Sequence, residues 1–208
     1  MKLKFLLALA AVSASSLASA QWYGAASYGA GNTSISTSDL AVAGATASSI
    51  SRNENDVGYK LQAGYQFNPN FGLEGGYVNL GKFNATRNVT APAVGSVRGD
   101  AKVDGWNLMA VGFLPLMNDF SLLGKLGTIY STTKIDLTTT GAVVLAPGVP
   151  PSRSKSEYNL AYGLGLQYSI NRSISVRGEW ESFTDLRASD TSDKSTVNLY
   201  SVDLIFKF

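Results

Sequence analysis

Apolar and polar residues alternate along most of the chain after Gln21. The stretch YNLAYGLGLQY at 158–168 is the clearest case, because a large apolar or aromatic side chain returns at every second position. About eight segments follow this two-residue period, and none keeps the 3.6-residue period of a helix. Since the side chains of a β-strand point alternately to its two faces, the pattern predicts an all-β protein whose strands have one apolar face.

The connections between these segments alternate in length. The short turns are at 68–70, 115–119 and 169–173, and the long polar connections are at roughly 31–56, 81–102, 131–156 and 184–196. The six prolines fall in these connections or at a strand end, as hydrogen-bonded strands require. Short turns that alternate with long loops are typical of outer-membrane barrels. Residues 21–208 are therefore predicted to form one domain, an eight-stranded antiparallel up-and-down transmembrane β-barrel, with no structure assigned to the Ser/Thr/Ala/Gly-rich loops.

Aromatic residues indicate which face of such a barrel would meet lipid. The outward positions at the short turns include Trp22, Phe67, Phe71 and Tyr168, and those near the long loops include Tyr77, Trp106, Tyr130, Tyr158 and Trp180. Two aromatic girdles of this kind flank the apolar belt of a membrane barrel. A soluble barrel of the lipocalin type is the alternative, but its interior has no reason to sort aromatic residues into two bands.

Residues 1–20 have the features of a cleaved signal peptide. Lys2 and Lys4 precede a short apolar stretch, and Ala18-Ser19-Ala20 supplies the small residues of a cleavage site. Removal of this segment would leave equal numbers of basic and acidic residues, so the net charge gives no indication of nucleic-acid binding. An exported chain without Cys must rely on its own fold or on a membrane for stability.

The face opposite the apolar one collects charged residues and glycines. Three of the charged residues are bases and four are acids: Lys60, Lys125 and Arg177 against Glu74, Glu179, Glu181 and Asp203. The interior of an eight-stranded barrel is just wide enough to be filled by side chains. Since buried charges must be paired, these seven residues are predicted to form an ion network in the lumen.

The stretch GYQFNPNFGLEGGYVNLG at 64–81 resembles the second and third strands of the OmpA-like transmembrane domain. The stretches at 119–127, 162–170 and 175–181 resemble the same family more weakly. The resemblance implies that Glu74 pairs with Arg177 inside the barrel, and that Lys125 and Glu179 are two further interior charges. Two positions depart from the family, because Val111 and Gln167 replace an interior Lys and an interior Glu. The family's frequent periplasmic peptidoglycan-binding domain is not expected here.

The final strand, NLYSVDLIFKF at 198–208, resembles the carboxy-terminal assembly signal of outer-membrane barrels. In that signal a terminal aromatic follows apolar residues at every second position, and the matching residues are Tyr200, Val202, Leu204, Phe206 and Phe208. An ordinary amphipathic strand would alternate as well, but it has no need to stop at an aromatic residue. The resemblance implies that the barrel-assembly machinery is a partner during biogenesis.

These features favour an integral outer-membrane protein of a Gram-negative bacterium with a structural or surface-interaction role. Its partners would be the lipid bilayer and a possible surface ligand of the long loops. A narrow pore for water or small ions is the alternative. An enzyme is not expected, because the chain has no His and no Cys to serve as base or nucleophile. No cofactor or metal motif is present either.

Overall fold

The structure is a computed structural model that describes residues 21–33, 47–91, 94–117, 119–147, 149–187 and 195–208. The predicted signal peptide lies outside the described residues. The strands within them are β1 (Gln21–Thr33), β2 (Ala47–Asn53), β3 (Asn55–Asn68), β4 (Phe71–Ala91), β5 (Gly95–Met117), β6 (Phe120–Gly141), β7 (Ser152–Ser169), β8 (Ile174–Leu186) and β9 (Ser195–Lys207). No helix in this part of the chain is long and apolar enough to cross a membrane.

Eight of the strands close into a ring. Each strand pairs antiparallel with its neighbours in the order β4-β3-β1-β9-β8-β7-β6-β5, and β5 pairs back with β4. The pairing of β1 with β9 joins the two ends of the domain, with Gly24 opposite Phe206. The remaining strand, β2, continues the line of β3 and pairs only with the far part of β4. The prediction of an eight-stranded antiparallel up-and-down barrel is confirmed.

The register of the ring gives the strands a pronounced tilt. Directly opposite residues can be followed once around the barrel, through Ser169, Ser175, Ile205, Ala25, Gln62, Gly76, Asn107, Ile129 and Asn159. The path begins and ends on β7, displaced by about ten residues, which with eight strands corresponds to a tilt of about 35–45°. A barrel with these dimensions has room inside for side chains alone.

The barrel wall follows the alternation of the sequence. On β7, Tyr158, Leu160 and Leu164 are exposed on the outer face, whereas Asn159 and Gln167 are buried in the lumen. The short connections lie at one end of the barrel, called the turn end here, and the long connections lie at the other, called the loop end. The outer wall between them is apolar, as the predicted lipid-facing surface requires.

The long loops are shorter than the sequence predicted, and the strands are longer. The ranges 81–102 and 131–156 were predicted to be connections, but β4, β5 and β6 continue through most of them as paired arms beyond the barrel. An apolar cluster of Ala85, Val89, Val97, Leu137 and Val143 supports these arms. The polar composition concealed this second small core, in which apolar residues again occupy alternate positions.

One turn also differs from the prediction. The turn expected at 115–119 begins later, because β5 includes Pro115 and runs to Met117. The ladder between β5 and β6 shifts register between Pro115 and Met117. A proline has no N–H to donate, so an interrupted part of the ladder tolerates it.

Candidate functional site

Seven charged side chains from five strands meet in the centre of the barrel. This lumen cluster consists of Lys60, Glu74, Lys125, Arg177, Glu179, Glu181 and Asp203, and every member is buried. They lie on β3, β4, β6, β8 and β9, so the cluster assembles only when the ring is closed. Alternation places each of them on the inner face of its strand, while the residues immediately before and after it lie on the outer face.

Arg177 links the two sides of the cluster through its guanidinium. Its Nη1 lies 2.9 Å from Glu74 Oε2 and 3.0 Å from Glu179 Oε1. Its Nε and Nη2 both donate to Gln167 Oε1, at 3.1 and 3.0 Å. Gln167 was noted in the sequence as a departure from the family's interior Glu. Here its amide oxygen takes the place of a carboxylate oxygen without adding a charge.

Lys125 contacts three of the four acids. Its Nζ lies 2.8 Å from Glu74 Oε1, 2.6 Å from Glu179 Oε1 and 3.5 Å from Glu181 Oε1. Glu74 is therefore shared between Lys125 and Arg177, with one oxygen for each base. A carboxylate with both oxygens in use recovers much of the hydration that it loses on burial.

Lys60 organises the remaining acids. Its Nζ lies 2.5 Å from Glu179 Oε2, contacts Glu181 and lies 3.8 Å from Asp203 Oδ2. The other oxygen of Asp203 accepts a 3.0 Å hydrogen bond from the hydroxyl of Ser201. The seven residues thus form one continuous network, in which each base contacts at least two acids. Two carboxylate oxygens, Glu181 Oε1 and Asp203 Oδ2, accept no hydrogen bond and lie 3.5 and 3.8 Å from a lysine Nζ.

Tyr23 belongs to the same site, although the sequence analysis did not identify it. Its hydroxyl donates a 2.9 Å hydrogen bond to Glu74 Oε2, and its ring is buried. The ring packs against Gly64, where an added Cβ would lie only 2.0 Å from Tyr23 Cζ. Its odd-numbered position, between the outward residues Trp22 and Gly24, was the signal that could have placed it inside.

Apolar residues close the lumen on both sides of the cluster. The loop-end layer contains Val78, Leu80, Phe83, Val103, Met109, Ile129, Ala161, Phe183, Leu186, Val197 and Leu199. The turn-end residues are Tyr23, Ala25 and Ile205 in one group and Val111, Phe113 and Leu123 in another. The order along β9 illustrates the layering, since Leu199 and Ile205 lie on opposite sides of Asp203. Val111, the second departure from the family, therefore belongs to an apolar layer.

The predicted girdle residues all lie on the outer wall. Tyr77, Trp106, Tyr130 and Tyr158 are consecutive cross-strand neighbours near the loop end. Trp180 contacts the ring of Tyr162 at 5.9 Å, slightly further toward the turn end. Trp22, Phe67, Phe71 and Tyr168 are exposed near the turn end. Their role as lipid girdles stays a prediction.

The residues of the predicted assembly signal also face outward. Tyr200, Val202, Leu204, Phe206 and Phe208 are all exposed on β9 or just after it. The backbone N–H of Phe208 donates a 2.9 Å hydrogen bond to the carbonyl of Trp22, which fixes the last residue to the first strand. Recognition of these residues by an assembly machinery stays a prediction.

The acids of the lumen cluster are all paired with bases. Among the described residues, no group of three or more His, Cys, Asp or Glu side chains is arranged to hold a metal ion. Every acid of the cluster instead faces an ammonium or guanidinium group. The arrangement can bind the strands to one another and block the lumen.

Residues 18–208 match the family model described as the OmpA-like transmembrane domain. No curated protein matches the sequence.

Several solved structures are similar to this chain. Neisserial surface protein A is 11% identical with a TM-score of 0.51, and the match covers 90% of this chain and 97% of that chain. The attachment invasion locus protein Ail of Yersinia pestis, solved in complex with the heparin analogue sucrose octasulfate, is 18% identical with a TM-score of 0.48. This match covers 90% of this chain and 99% of that chain. The N-terminal β-barrel domain of Pseudomonas aeruginosa OprF is 9% identical with a TM-score of 0.46 over 90% and 97%.

Proposed function

The chain belongs to the OmpA-like transmembrane domain family, and from this membership we propose that it is a non-conducting outer-membrane barrel with a structural and surface-interaction role. One observation carries the proposal: paired charges fill the lumen between two apolar layers. A barrel with a filled lumen has only its outer wall and its loop-end arms available for contacts. Its partners are then the lipid around it and a ligand at its surface.

The loop-end arms are suited to surface contacts. Strand β4 continues from Tyr77 in the aromatic row to Ala91, and β5 and β6 accompany it as paired strands. The apolar cluster between these arms gives them a core of their own, so they present a defined surface outside the membrane. In an outer-membrane barrel the long connections face the outside of the cell. The ligand that binds there is expected to recognise the polar faces of the arms.

A narrow pore is the alternative function. It would require a continuous polar path through the lumen, whereas Ile129, Phe183 and Leu199 are fully buried in an apolar layer across it. The lumen cluster also has few polar atoms free to coordinate water, because most of its oxygens contact a base. Conduction would therefore need both layers to open and the cluster to exchange partners.

Planar-bilayer recording tests the proposal directly. We expect no discrete conductance steps from the purified barrel. Folding of the sample is checked by a difference in gel migration between the unboiled and the boiled protein. Steps whose size changes in Glu74→Ala or Arg177→Ala would overturn the proposal, because such steps report on the lumen. Arg172→Gln, at an exposed position of the turn after β7, is the matched control. If the conductance step changes as much in Arg172→Gln as in the lumen variants, it reports on the turn-end entrance of the barrel and not on the lumen cluster.

Catalysis is not part of the proposed role. The chain has no His and no Cys, and the buried acids of the lumen cluster are committed to bases. Hydrolysis of an ester or of the acyl chains of lipid A needs a general base near a nucleophile. An assay of purified protein for esterase and lipid A deacylase activity tests this exclusion, and turnover above that of a boiled sample would contradict it.

A further inference from the structure

Three lysines stand side by side on the outer face of the arms. Lys82 on β4 is directly opposite Lys102 on β5, and Lys102 is directly opposite Lys134 on β6. Directly opposite residues in an antiparallel pair have Cβ atoms about 4.5–5.5 Å apart, and like charges at that distance are destabilising. A row of three ammonium groups is thus unfavourable unless an anion lies next to it. We call these residues the lysine row.

The lysine row faces the same direction as the lipid-facing aromatic residues. On β5, Trp106, Asp104 and Lys102 follow one another on the outer face, and on β6 Tyr130, Thr132 and Lys134 do the same. Four residues of a strand tilted by about 40° rise about 10 Å along the barrel axis. The row therefore lies just beyond the aromatic girdle and points sideways, into the layer of lipid headgroups.

Acids flank the row. They are Asp100 and Asp104 on β5, Asp136 on β6, which is directly opposite Asp100, and Asp56 on β3. Lys102 Nζ lies 3.5 Å from Asp104 Oδ1 and Lys134 Nζ lies 3.2 Å from Asp136 Oδ2. The side chains of both pairs are substantially exposed, and exposed pairs contribute little. Asp136 also accepts a 2.6 Å hydrogen bond from Ser152. These acids keep the lysines in place without covering their outward side.

Lys82 has the least compensation of the three. Among the described residues no carboxylate lies within 4.0 Å of its ammonium group. The carboxylate of Asp56 accepts a 2.6 Å hydrogen bond from the backbone N–H of Lys82 instead. At the end of the row nearest β3, the ammonium group of Lys82 therefore forms no ion pair with the described residues.

We propose that the lysine row binds the phosphate groups of anionic lipid headgroups in the outer leaflet. Three ammonium groups in a line supply up to nine N–H donors, and lysine binds phosphate as a point charge without a fixed geometry. A basic residue at a membrane surface contributes about 1 kcal/mol of attraction to anionic lipid, which is about fivefold in the association constant. The proposal rests on the outer-membrane location and is independent of whether the lumen conducts.

A lipid-preference measurement tests the proposal. The full chain is folded into phosphatidylcholine vesicles that contain spin-labelled phosphatidic acid, and the association constant of the labelled lipid is compared with that of labelled phosphatidylcholine. Lys102→Gln should lower the preference for phosphatidic acid about fivefold, and replacement of all three lysines by Gln should abolish it. Lys102→Arg keeps the charge and should keep the preference. Gel migration before and after boiling verifies that each variant is folded.

Controls separate the row from overall charge and from soluble anions. Arg172→Gln removes one exposed base at the turn end, and it should leave the preference unchanged. An unchanged preference in the triple variant, or an equal loss in Arg172→Gln, would overturn the proposal. Displacement of phosphatidic acid by millimolar inorganic phosphate would also overturn it, since the row would then bind phosphate irrespective of a lipid. Conductance recorded on the triple variant tests the proposed function separately.

Discussion

Arg177 and Glu74 meet at 2.9 Å in the lumen, although their strands lie on opposite sides of the barrel. Strands β8 and β4 are separated by four steps around the ring in either direction. No ladder of backbone hydrogen bonds connects such strands, so the ion pair joins the two halves of the barrel directly through side chains. It also places the centre of the lumen cluster on the barrel axis.

We expect Arg177→Ala to lower the free energy of unfolding by about 3–5 kcal/mol, as the loss of one partner from a buried ion pair does. The substitution leaves the amide oxygen of Gln167 without its donor and leaves Glu74 Oε2 with the Tyr23 hydroxyl as its remaining donor. Urea unfolding in lipid vesicles, followed by Trp fluorescence, measures the change. Arg172→Gln is the control and should change the stability by less than about 0.5 kcal/mol. An equally small change for Arg177→Ala would contradict a buried cluster.

A double-mutant cycle on Glu74 and Arg177 should reveal coupling. Replacing both by Ala should cost less than the sum of the single replacements, by about 0.5–3 kcal/mol. The coupling is expected to be incomplete, because Glu74 also contacts Lys125 at 2.8 Å and Arg177 also contacts Glu179. Strictly additive losses in the same unfolding assay would show that the two residues do not act as partners.

Gly64→Ala should destabilise the barrel by about 1–3 kcal/mol, the usual range for overpacking. Its new Cβ would lie 2.0 Å from Tyr23 Cζ, so the ring must move and its hydrogen bond to Glu74 must break. Gly178→Ala is a matched control on the outer wall, where an added Cβ meets no atom within 4 Å. Equal effects of the two substitutions would mean that glycine flexibility, and not the space for Tyr23, determines the result.

The alternation of the sequence was sufficient to predict the barrel and the inner or outer face of most residues. Parity alone assigns Lys60, Lys125 and Arg177 to the lumen, because their chain neighbours are apolar residues that face lipid. The particular pairing of Glu74 with Arg177 came from the family resemblance. The alternation of inner and outer positions could not have given this pairing, since Glu74 and Arg177 are 103 positions apart in the chain.

The apolar layers could not be predicted in the same way. The alternation assigns Leu114 and Leu122 to the outer face, but their neighbours Phe113 and Leu123 are apolar too, so nothing in the composition indicates what these two residues contact. Only the closed ring shows that Phe113 and Leu123 are buried inside while Leu114 and Leu122 remain outside. The loop-end arms were missed for a related reason, because their short apolar residues are separated by Thr, Asn and charged residues.

The ionisation of Asp136 should report on the structure of the arms. The hydroxyl of Ser152 donates to this carboxylate and Lys134 lies beside it, which lowers the pKa of Asp136 below its ordinary value of 3.8. A lowered pKa means that the interaction stabilises the arms when the pH is above the ordinary pKa of the carboxyl group. This stabilisation is lost as the pH falls through the pKa of the folded state. Carboxyl NMR should therefore show Asp136 titrating below 3.8.

Ser152→Ala tests the cause of that shift. Without the hydroxyl, the pKa of Asp136 should move back toward 3.8. The nearby N–H of Leu137, which donates to the carbonyl of Pro151, should exchange faster with solvent at a pH above 3.8, where the carboxylate is ionised and the wild-type protein has the hydrogen bond. Thr138→Ser on the same strand is the control, since it keeps a hydroxyl and leaves the Ser152 donor to Asp136 in place. A titration curve of Asp136 that is unchanged in Ser152→Ala would rule out the hydrogen bond as its cause.

Deletion of Phe208 should impair assembly in the cell more than it reduces stability. In the folded barrel Phe208 is 83% exposed and contributes one backbone hydrogen bond to Trp22. Loss of that bond should lower the free energy of unfolding by about 1 kcal/mol. If the alternating residues that end at Phe208 are read by the assembly machinery, the deletion should reduce the amount of folded protein in the outer membrane far more than so small a change explains. Phe206→Leu, which keeps the terminal aromatic residue, should reduce the amount of folded protein less than the deletion does. Equal reductions in the two variants, together with a large loss of stability in the deletion variant, would favour a purely structural role for Phe208.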